Sequence, residues 1–443
     1  METPLVHVLV INWNGLEHLD ACFASLLEGT YENVQYILVD NDSEDESVEF
    51  VRRRFGEDPR VRILDCGANL GWSGGNNAAL LESLEQRADY IFLINNDTAT
   101  HPEAIAHLVA MAEARPEIGA LAPKMVLFDY PEVLNSVGIE CSLNGSGWDK
   151  GVGRLDAPRW NTPEPVIAVC GGACFLRAEA LRHSGLLPEE FEIYLDDLDL
   201  GLRIWNAGYE IWSCPQAVVR HKFSATFGAG RRARRKYYLN TRNRMWLVLR
   251  NFPWYGLPRM KLAMAVGETR AIGRALLDGE PWRACAHVRA WAAGLFYVPR
   301  ALLERWWRWR VGLGRCRFWH LVRKDRLFCP GFAMPVDGWY PEREVRMADT
   351  PVCVRPISRR ATAEVSAGRL RVIHANCYPH LGATDIRVLV DGTEYAALAT
   401  RGVEEMDIDV PKGCVVFEAK HVFDADDTGE IMDVGGWIRI ERT

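Results

Sequence analysis

The chain of 443 residues lacks the sequence features of secreted and membrane-spanning proteins. No window reaches about 18 uninterrupted apolar residues, which argues against a helix that spans a bilayer. Residues 1–4 carry no basic segment ahead of the first apolar run, so we expect no signal peptide. The twelve cysteines are scattered without short paired spacings, which favours buried, reduced thiols in a cytoplasmic protein.

Two glycine-rich phosphate motifs are absent as well. The first predicted strand is not followed by G-x-G-x-x-G, and no segment reads G-x-x-x-x-G-K-[ST]. These absences argue against a dinucleotide-dependent oxidoreductase and against a P-loop enzyme. Residues 67–77 instead predict a loop rich in Gly and Asn, which offers close backbone approach and amide groups to a hydroxyl or a phosphate. A plain turn with a helix cap is the structural alternative.

Basic charge is concentrated in one segment. The net charge is −7, yet residues 220–330 hold 25 Lys and Arg against 5 Asp and Glu, which leaves −27 for the remainder. Half of the 16 Trp lie in the same segment, and residues 301–311 interleave Trp with Arg. This pattern is typical of interfacial membrane helices and predicts an anionic membrane surface as a partner. A core helix with surface arginines is the alternative, and the lack of a recognition motif argues against nucleic acid.

Predicted strands and helices alternate through the first 114 residues. Strand-like apolar runs occupy 6–11, 36–39, 61–64 and 90–94, and helical periodicity covers 16–27, 47–55 and 102–114. The alternation predicts an α/β fold with a mostly parallel sheet and right-handed crossovers. Ligands of such sheets bind beyond the carboxyl ends of the strands, where Asp40, Asp97 and the loop 67–77 fall.

Acidic residues crowd the predicted start of a short helix: Asp196, Asp197 and Asp199. Helix capping requires only one carboxylate. Because three of them follow a strand-like aromatic segment, 191–194, we predict that one is aimed at a ligand. We expect the helix N-terminus to keep Asp197 ionised, and Asp199 to form a helix-surface pair with Arg203. Two glycines interrupt a buried strand predicted over 166–175 and indicate a bulge or a ligand against the backbone: Gly171 and Gly172.

These motifs, in this order, resemble those of the family-2 glycosyltransferases of GT-A fold, and within them the bacterial rhamnosyltransferase-like enzymes. The matching segments are residues 10–15, 39–43, 69–77, 95–97, 171–175, 194–203, 221, 237–238 and 242–243. The resemblance covers residues 5–250 and implies an inverting enzyme that moves a sugar from a nucleotide donor to a glycan or lipid-linked acceptor. It favours dTDP-L-rhamnose as the donor, with UDP-galactofuranose or another hexose as the alternative. A catalytically silent glycan-binding or scaffold protein is a second alternative.

The resemblance also implies a role for each matching position. Asp197 would be the catalytic base that takes the proton of the acceptor hydroxyl. Contacts with the acceptor are expected from Asp196, Gly171 and Gly172. The nucleotide sugar would meet Asn12, Asn14, Asp40, Asn41, Asn69, Gly71, Gly74, Asn76, Asn77 and Asn96. Asp97 and His221 would bind a divalent cation, Mg²⁺ or Mn²⁺, with reduced affinity because amides stand at 95 and 96, where acids are common.

Three domains are predicted along the chain. Residues 1–250 would form the GT-A domain, and residues 251–330 a helical, Trp- and Arg-rich linker or membrane-proximal segment. Residues 331–443 hold short strand-like runs separated by turns, which predict an all-β sandwich. The role of the sandwich is either glycan binding or dimerisation and packing. We expect a cytoplasmic protein, with the inner face of the cell membrane as its site of peripheral association, and a homodimer is one of the open oligomeric states.

Overall fold

The computed structural model describes residues 3–154, 156–222, 231–253, 257–310, 316–324, 343–347, 350–357, 360–365, 368–375, 384–400, 403–410, 413–419 and 436–442. The chain divides into two compact units. The first comprises Met1–Gly151 and Ala157–Cys329, and the second comprises Val152–Asp156 and Pro330–Thr443.

Strands and helices of the first unit alternate along the chain, as predicted. The strands are β1 Val6–Asn12, β2 Val34–Asp40, β3 Val61–Asp65, β4 Tyr90–Asn95, β5 Thr98–Thr100, β6 Ile118–Leu127, β7 Leu134–Ser136, β8 Ile139–Cys141, β9 Gly147–Asp149, β10 Ala173–Arg177 and β11 Glu210–His221. The helices are α1 Leu16–Leu27, α2 Ser47–Phe55, α3 Gly71–Glu85, α4 Ala104–Ala114, α5 Ala178–Ser184, α6 Asp196–Asn206, α7 Arg231–Asn251, α8 Leu257–Leu277 and α9 Pro281–Arg310.

One mixed sheet carries the first unit. Its order is β3-β2-β1-β4-β10-β6-β11-β5, with β7 paired to β6. Strands β1 to β4 are parallel to one another, β10 runs antiparallel between β4 and β6, and β11 is parallel to β6. The predicted α/β fold with a mostly parallel sheet is therefore confirmed. The parallel register also aligns the carboxyl ends of β1, β2 and β4 at one edge of the sheet.

The central strands are buried on both faces, which explains their continuous apolar sequence. Every residue of β1 is buried, and its alternate side chains point to opposite faces. Leu9 and Ile11 join a core cluster that includes residues of α3 and α6. Val8 and Val10 join a second cluster with residues of α1, α2 and α4. Two close-packed cores therefore fix the strand ends that carry the polar residues.

Three local predictions were wrong. The loop predicted over 67–77 ends early, because α3 begins at Gly71. The strand-like segment predicted over 191–194 is instead a 3-10 turn, Glu189–Phe191, followed by a left-handed φ of 71° at Tyr194. The strand predicted over 166–175 begins only at Ala173. Each of these segments is rich in aromatic residues or glycine and was assigned the wrong secondary structure, because tertiary packing overrides local propensity.

Glycine has a packing role in the first turns of α3. A Cβ added at Gly75 would lie 2.7 Å from Ile11 Cδ1 and 3.1 Å from Asn41 Oδ1. The missing side chain lets the helix approach the ends of β1 and β2 closely. This part of the Gly/Asn-rich segment therefore serves helix–sheet packing.

Helices α7, α8 and α9 belong to the first compact unit. Helix α9 packs against both α7 and α8, and Trp246 of α7 stacks on Tyr297 of α9 with 4.5 Å between ring centroids. Arg244 and His287 both contact the buried carboxylate of Glu268, which ties the three helices together. Across the residues that the structure describes, no helix is both long enough and apolar enough to traverse a bilayer.

The second unit is all-β. Its strands are β12 Arg343–Met347, β13 Thr350–Ile357, β14 Arg360–Val365, β15 Gly368–Ala375, β16 Thr384–Val390, β17 Thr393–Thr400, β18 Val403–Val410, β19 Gly413–Ala419 and β20 Gly436–Arg442. They form two antiparallel sheets, ordered β12-β13-β20-β15-β18 and β14-β19-β16-β17. Val372 of one sheet and Val388 and Phe417 of the other share one buried cluster. The predicted C-terminal β-sandwich is thus present.

Candidate active site

The carboxyl ends of β1 and β2 carry a buried polar cluster. Asn12 and Asp40 face each other in the parallel register, with Asn12 Nδ2 3.5 Å from Asp40 Oδ1 and 3.1 Å from Ser43 Oγ. Asn96, which follows β4, donates through Nδ2 to Asn12 Oδ1 at 2.6 Å. The backbone N–H of Ser43 in turn donates to Asp40 Oδ2. Three predicted site residues are therefore brought together at this edge.

A second set of contacts pins the segment that leads into α3. Asn41 Nδ2 donates to Asn69 Oδ1 at 3.2 Å and to the Gly71 carbonyl at 3.1 Å, and the N–H of Leu70 donates back to Asn41 Oδ1. Asn14, with φ of 51°, accepts a bond from the Glu44 N–H. These contacts hold the backbone at the strand ends. The predicted nucleotide residues that make them are named here the shell: Asn14, Asn41, Asn69 and Gly71.

The remaining predicted nucleotide residues lie in the first turns of α3. Asn76 donates through Nδ2 to the Trp72 carbonyl, and its buried Oδ1 has no partner among the described residues. Asn77 bonds the N–H and the carbonyl of Leu187 and the carboxylate of Glu189. These contacts give Asn77 a structural role. Its contact with a donor, and that of Gly74, stay predictions.

Asp97 and His221 meet next to β5 and β11. His221 pairs with Thr98 across the two strands, and its Nε2 lies 3.3 Å from Asp97 Oδ1. His221 Nδ1 is bonded to Asn135 Oδ1 at 2.5 Å. An amide oxygen accepts only, so Nδ1 donates to Asn135 and Nε2 is the ring nitrogen that faces Asp97. Asp97 Oδ1 is buried and has no hydrogen-bond partner in the described part of the chain.

This pair is a fit for a divalent cation, with a donor set of one carboxylate and one imidazole. No group of three or more His, Cys, Asp or Glu residues within the described ranges could hold a metal ion. Any cation here would therefore complete its shell with oxygens from substrate and water.

A cavity of about 350 Å³ opens beside the pair. Its lining includes Trp72, Asn95, Asp149, Gly171, Gly172, Asp197, His221 and Asn240. Trp72 Nε1 donates to Asn95 Oδ1 at 3.2 Å, which fixes the indole at one wall. Asn95 also ends β4, next to Asn96 of the polar cluster.

Gly171 and Gly172 separate Asp197 from His221. The N–H of Gly171 donates to Asp197 Oδ2 at 3.0 Å, and a Cβ there would lie 2.9 Å from the Trp72 ring. A Cβ at Gly172 would lie 3.3 Å from His221 Cε1. One glycine pair thus has the acid on one side and the histidine on the other. Only residues without a side chain fit at both positions.

Burial and like charge raise the pKa of Asp197. The largest cause is loss of hydration, followed by the charges of Asp196 and Asp149, and together they raise the pKa to about 7. Hydrogen bonds from the N–H groups of Gly171 and Leu198 oppose this rise. The expectation that the helix N-terminus keeps Asp197 ionised is therefore wrong in direction. The carboxyl is set near neutrality, where a general base is most effective.

Two family models match the chain. Residues 90–335 match the family described as Glycosyl transferase family group 2, and residues 7–137 match Glycosyl transferase family 2. The chain belongs to the family-2 glycosyltransferases.

Three relatives of this glycosyltransferase each match a little over half of the chain. The N-acetylglucosaminyl-diphospho-decaprenol L-rhamnosyltransferase of Mycobacterium tuberculosis is 28% identical over 244 residues, which is 51% of this chain and 78% of the relative. Uncharacterized protein y4gI of Sinorhizobium fredii is 30% identical over 262 residues, which is 55% of this chain but only 28% of that protein. The O-antigen biosynthesis protein RfbC of Myxococcus xanthus is 26% identical over 57% of this chain and 20% of its own.

Two solved structures also align with the glycosyltransferase. The structure of GalNAc-T7 with UDP, GalNAc and Mn²⁺ gives a TM-score of 0.48 at 14% identity, over 64% of this chain and 54% of that one. The structure of the mannosyltransferase PcManGT of Pyrobaculum calidifontis, with GDP-Man and Mn²⁺, gives a TM-score of 0.42 at 17% identity, over 72% of this chain and 83% of that one.

The other two acids of α6 differ in their surroundings. Asp196 lines the cavity and accepts a bond from Ser73 Oγ at 2.7 Å, which joins α6 to α3. Asp199 is fully buried, where it binds Arg203 Nε at 2.8 Å and Asn251 Nδ2 at 2.6 Å. The predicted surface pair is thus a buried one, because Asn251 of α7 packs over this face of α6. Its role in the glycosyltransferase is structural, as expected.

Sequence reasoning missed Asp149 and Asn240 as residues of the cavity. Asp149 ends the short strand β9, hydrogen-bonds with Ser136 and Cys170, and has its pKa raised by burial. A single acid in an irregular, glycine-rich stretch carries no periodic or motif signal. Only the fold brings it to the cavity.

Proposed function

We propose that this glycosyltransferase is an inverting enzyme that moves a sugar from a dTDP or UDP donor to a hydroxyl of a glycan or lipid-linked acceptor. The single observation that carries the proposal is the shared cavity. Asp197 and His221, which contacts Asp97, line the same space of about 350 Å³ on either side of Gly171 and Gly172. A base and a cation-binding pair at one sugar-sized space are what a metal-assisted displacement at an anomeric carbon requires.

The donor would extend from the cavity to the strand ends. Its base and ribose would meet the polar cluster of Asn12, Asp40 and Asn96, together with the shell of Asn14, Asn41, Asn69 and Gly71. Asp97 and His221 would hold Mg²⁺ or Mn²⁺ against the diphosphate. When bound, the cation supplies positive charge that stabilises the departing nucleoside diphosphate.

Asp197 would act as the general base. In one in-line step, the acceptor oxygen forms a bond to the anomeric carbon, the bond to the diphosphate oxygen breaks, and the acceptor proton passes to Asp197 Oδ1 or Oδ2. No covalent intermediate is needed. The N–H groups of Gly171 and Leu198 orient the carboxylate, and a pKa of about 7 lets it accept a proton near neutral pH.

We favour L-rhamnose as the transferred sugar. The segment 69–77 resembles that branch, and the relative from Mycobacterium tuberculosis is named as an L-rhamnosyltransferase. Galactofuranose is the alternative within the same fold. Glycan binding or packing by the second unit, homodimer formation and attachment to the inner membrane face stay predictions.

A screen of nucleotide sugars tests the proposal. Each donor is added with Mg²⁺, with Mn²⁺ or with a chelator, and the melting temperature and the release of nucleoside diphosphate are measured. We expect dTDP-L-rhamnose with metal to give the largest rise in melting temperature and a slow hydrolysis that Asp197→Asn abolishes. Donor binding without any turnover in the presence of candidate acceptors would instead favour the silent scaffold, a reading that the amides at Asn95 and Asn96 support.

A further inference from the structure

Helix α9 turns its large apolar side chains away from the rest of its unit. Its buried residues are mostly small and include Ala284, Ala286, Ala290, Gly294 and Ala301. Its exposed residues include a row at helical spacing, named here the α9 stripe: Trp291, Leu295, Leu302, Trp306 and Trp309. Leu295 is 68% exposed and Trp309 is 75% exposed. Surface helices in water have the opposite arrangement, so the α9 stripe calls for an apolar surrounding.

Basic charge accompanies the α9 stripe. Helix α9 carries six arginines and one glutamate. That glutamate, Glu304, forms ion pairs with Arg250 and with Arg300 and Arg308 of α9 itself, so these charges are compensated within the protein. Arg310 is exposed, with its guanidinium 5.0 Å from the centre of the Trp306 ring. Arginine beside tryptophan places a cation at the level of lipid phosphates while the ring lies in the apolar boundary.

The shape of the α9 stripe also fits a flat apolar surface. From Trp291 to Trp309 it extends about 27 Å along the helix, at a rise of about 1.5 Å per residue. It stays on one side of the helix over that length, since its members are spaced by three, four or seven residues. A row of this length is better covered by a lipid boundary than by a compact pocket.

We propose that α9 docks the protein on an anionic lipid bilayer by lying in the headgroup region with the α9 stripe turned into the membrane. The docking rests on the proposed function in one respect, that a lipid-linked acceptor would be met at this surface. Its physical basis, the reversed polarity of the helix and its arginines, is independent of catalysis.

Vesicle flotation tests the docking. The full-length protein is mixed with vesicles of phosphatidylcholine, with and without phosphatidylglycerol, at low and high salt. We expect flotation with phosphatidylglycerol that weakens with salt. The triple variant Leu295→Gln, Trp306→Gln, Trp309→Gln should partition at least about tenfold less, because each change removes a buried apolar side chain from the boundary. The matched control is Leu81→Gln on α3, an exposed leucine outside the stripe, which should float like the wild type.

The remaining outcomes are also decisive. The melting temperature of each variant reports folding, and single variants at Leu295 and Trp309 should each weaken flotation if the triple variant is unfolded. Equal flotation of wild type and folded stripe variants overturns the docking. If the wild type is dimeric and does not float while the triple variant is monomeric, the docking is overturned and the α9 stripe is a surface for self-association. Flotation without a response to any nucleotide sugar would overturn the proposed function and leave the docking standing.

Discussion

The pH dependence of the transfer reaction tests the electrostatics of Asp197 directly. Its pKa is raised from 3.8 to about 7, so the ionised, active form of the base accumulates only as the pH rises through neutrality. With a single base of this pKa, about a tenth of the enzyme is active at pH 6 and about nine-tenths at pH 8. We expect kcat/KM to rise about tenfold per pH unit below 7 and to level off above it.

Asp149→Asn sharpens the same test. The charge of Asp149 is one cause of the raised pKa, so its removal should move the midpoint to a value between 3.8 and about 7. The rising limb then shifts to lower pH, and the relative rate at pH 6 increases. The control is Glu140→Gln on the same hairpin, since Glu140 binds Trp148 and Arg323 and does not act on Asp197. A wild-type profile that is flat from pH 5.5 to 8, or an unshifted midpoint in Asp149→Asn, would refute the assignment of Asp197 as the base.

Three further outcomes follow from the site and its supports. Asp197→Asn should lower kcat about 10²–10⁴-fold and keep the rise in melting temperature that the donor causes. Because burial raises the pKa of Asp197 in the folded state, the wild type loses stability as pH rises from 3.8 to about 7. The variant should therefore have a higher melting temperature than the wild type at pH 8 but not at pH 4. A chelator, or Asp97→Asn, should abolish turnover and most donor affinity measured by calorimetry. Metal without nucleotide should bind weakly, because Asp97 and His221 would be its two protein ligands among the described residues. Asp199→Ala should lower the free energy of unfolding in urea by about 3–5 kcal/mol, since Arg203 is left buried and unpaired; a loss below about 1 kcal/mol would contradict the buried-pair account.

Local sequence patterns were sufficient for most of the α/β framework. Helices α1 and α2 span the residues predicted from periodicity, 16–27 and 47–55, and each predicted strand of the parallel half is present. Strands buried on both faces read as continuous apolar runs, and their ends are marked by polar residues. The placement of Asp40 at the carboxyl edge of the sheet followed from that pattern, because parallel strands in register bring their carboxyl ends to one edge.

Segments whose conformation depends on distant contacts were not predictable in this way. Asn77 is engaged by Leu187 and Glu189, more than 100 residues along the chain, and the sequence around it reads as a loop. The raised pKa of Asp197 also depends on contacts that are distant along the chain. Its helix N-terminus is visible in the sequence and lowers the pKa, whereas the larger opposing causes, burial and the charge of Asp149, exist only in the folded chain.

Helix α9 is the clearest instance of this limit. Residues 301–311 interleave Trp with Arg, and this pattern is the same whether the aromatic side chains face a core or the outside. What decides the direction is the neighbouring helix: α7 packs closely against Ala290 and Gly294, and a Cβ added at Gly294 would lie 2.9 Å from Met245 Cε. Trp306 and Trp309 must then face outward, against the hydrophobic effect in water. The packing of α9 therefore keeps apolar side chains exposed to water, at a cost in free energy that an apolar partner would remove. This is why the α9 stripe is best understood as one half of an interface.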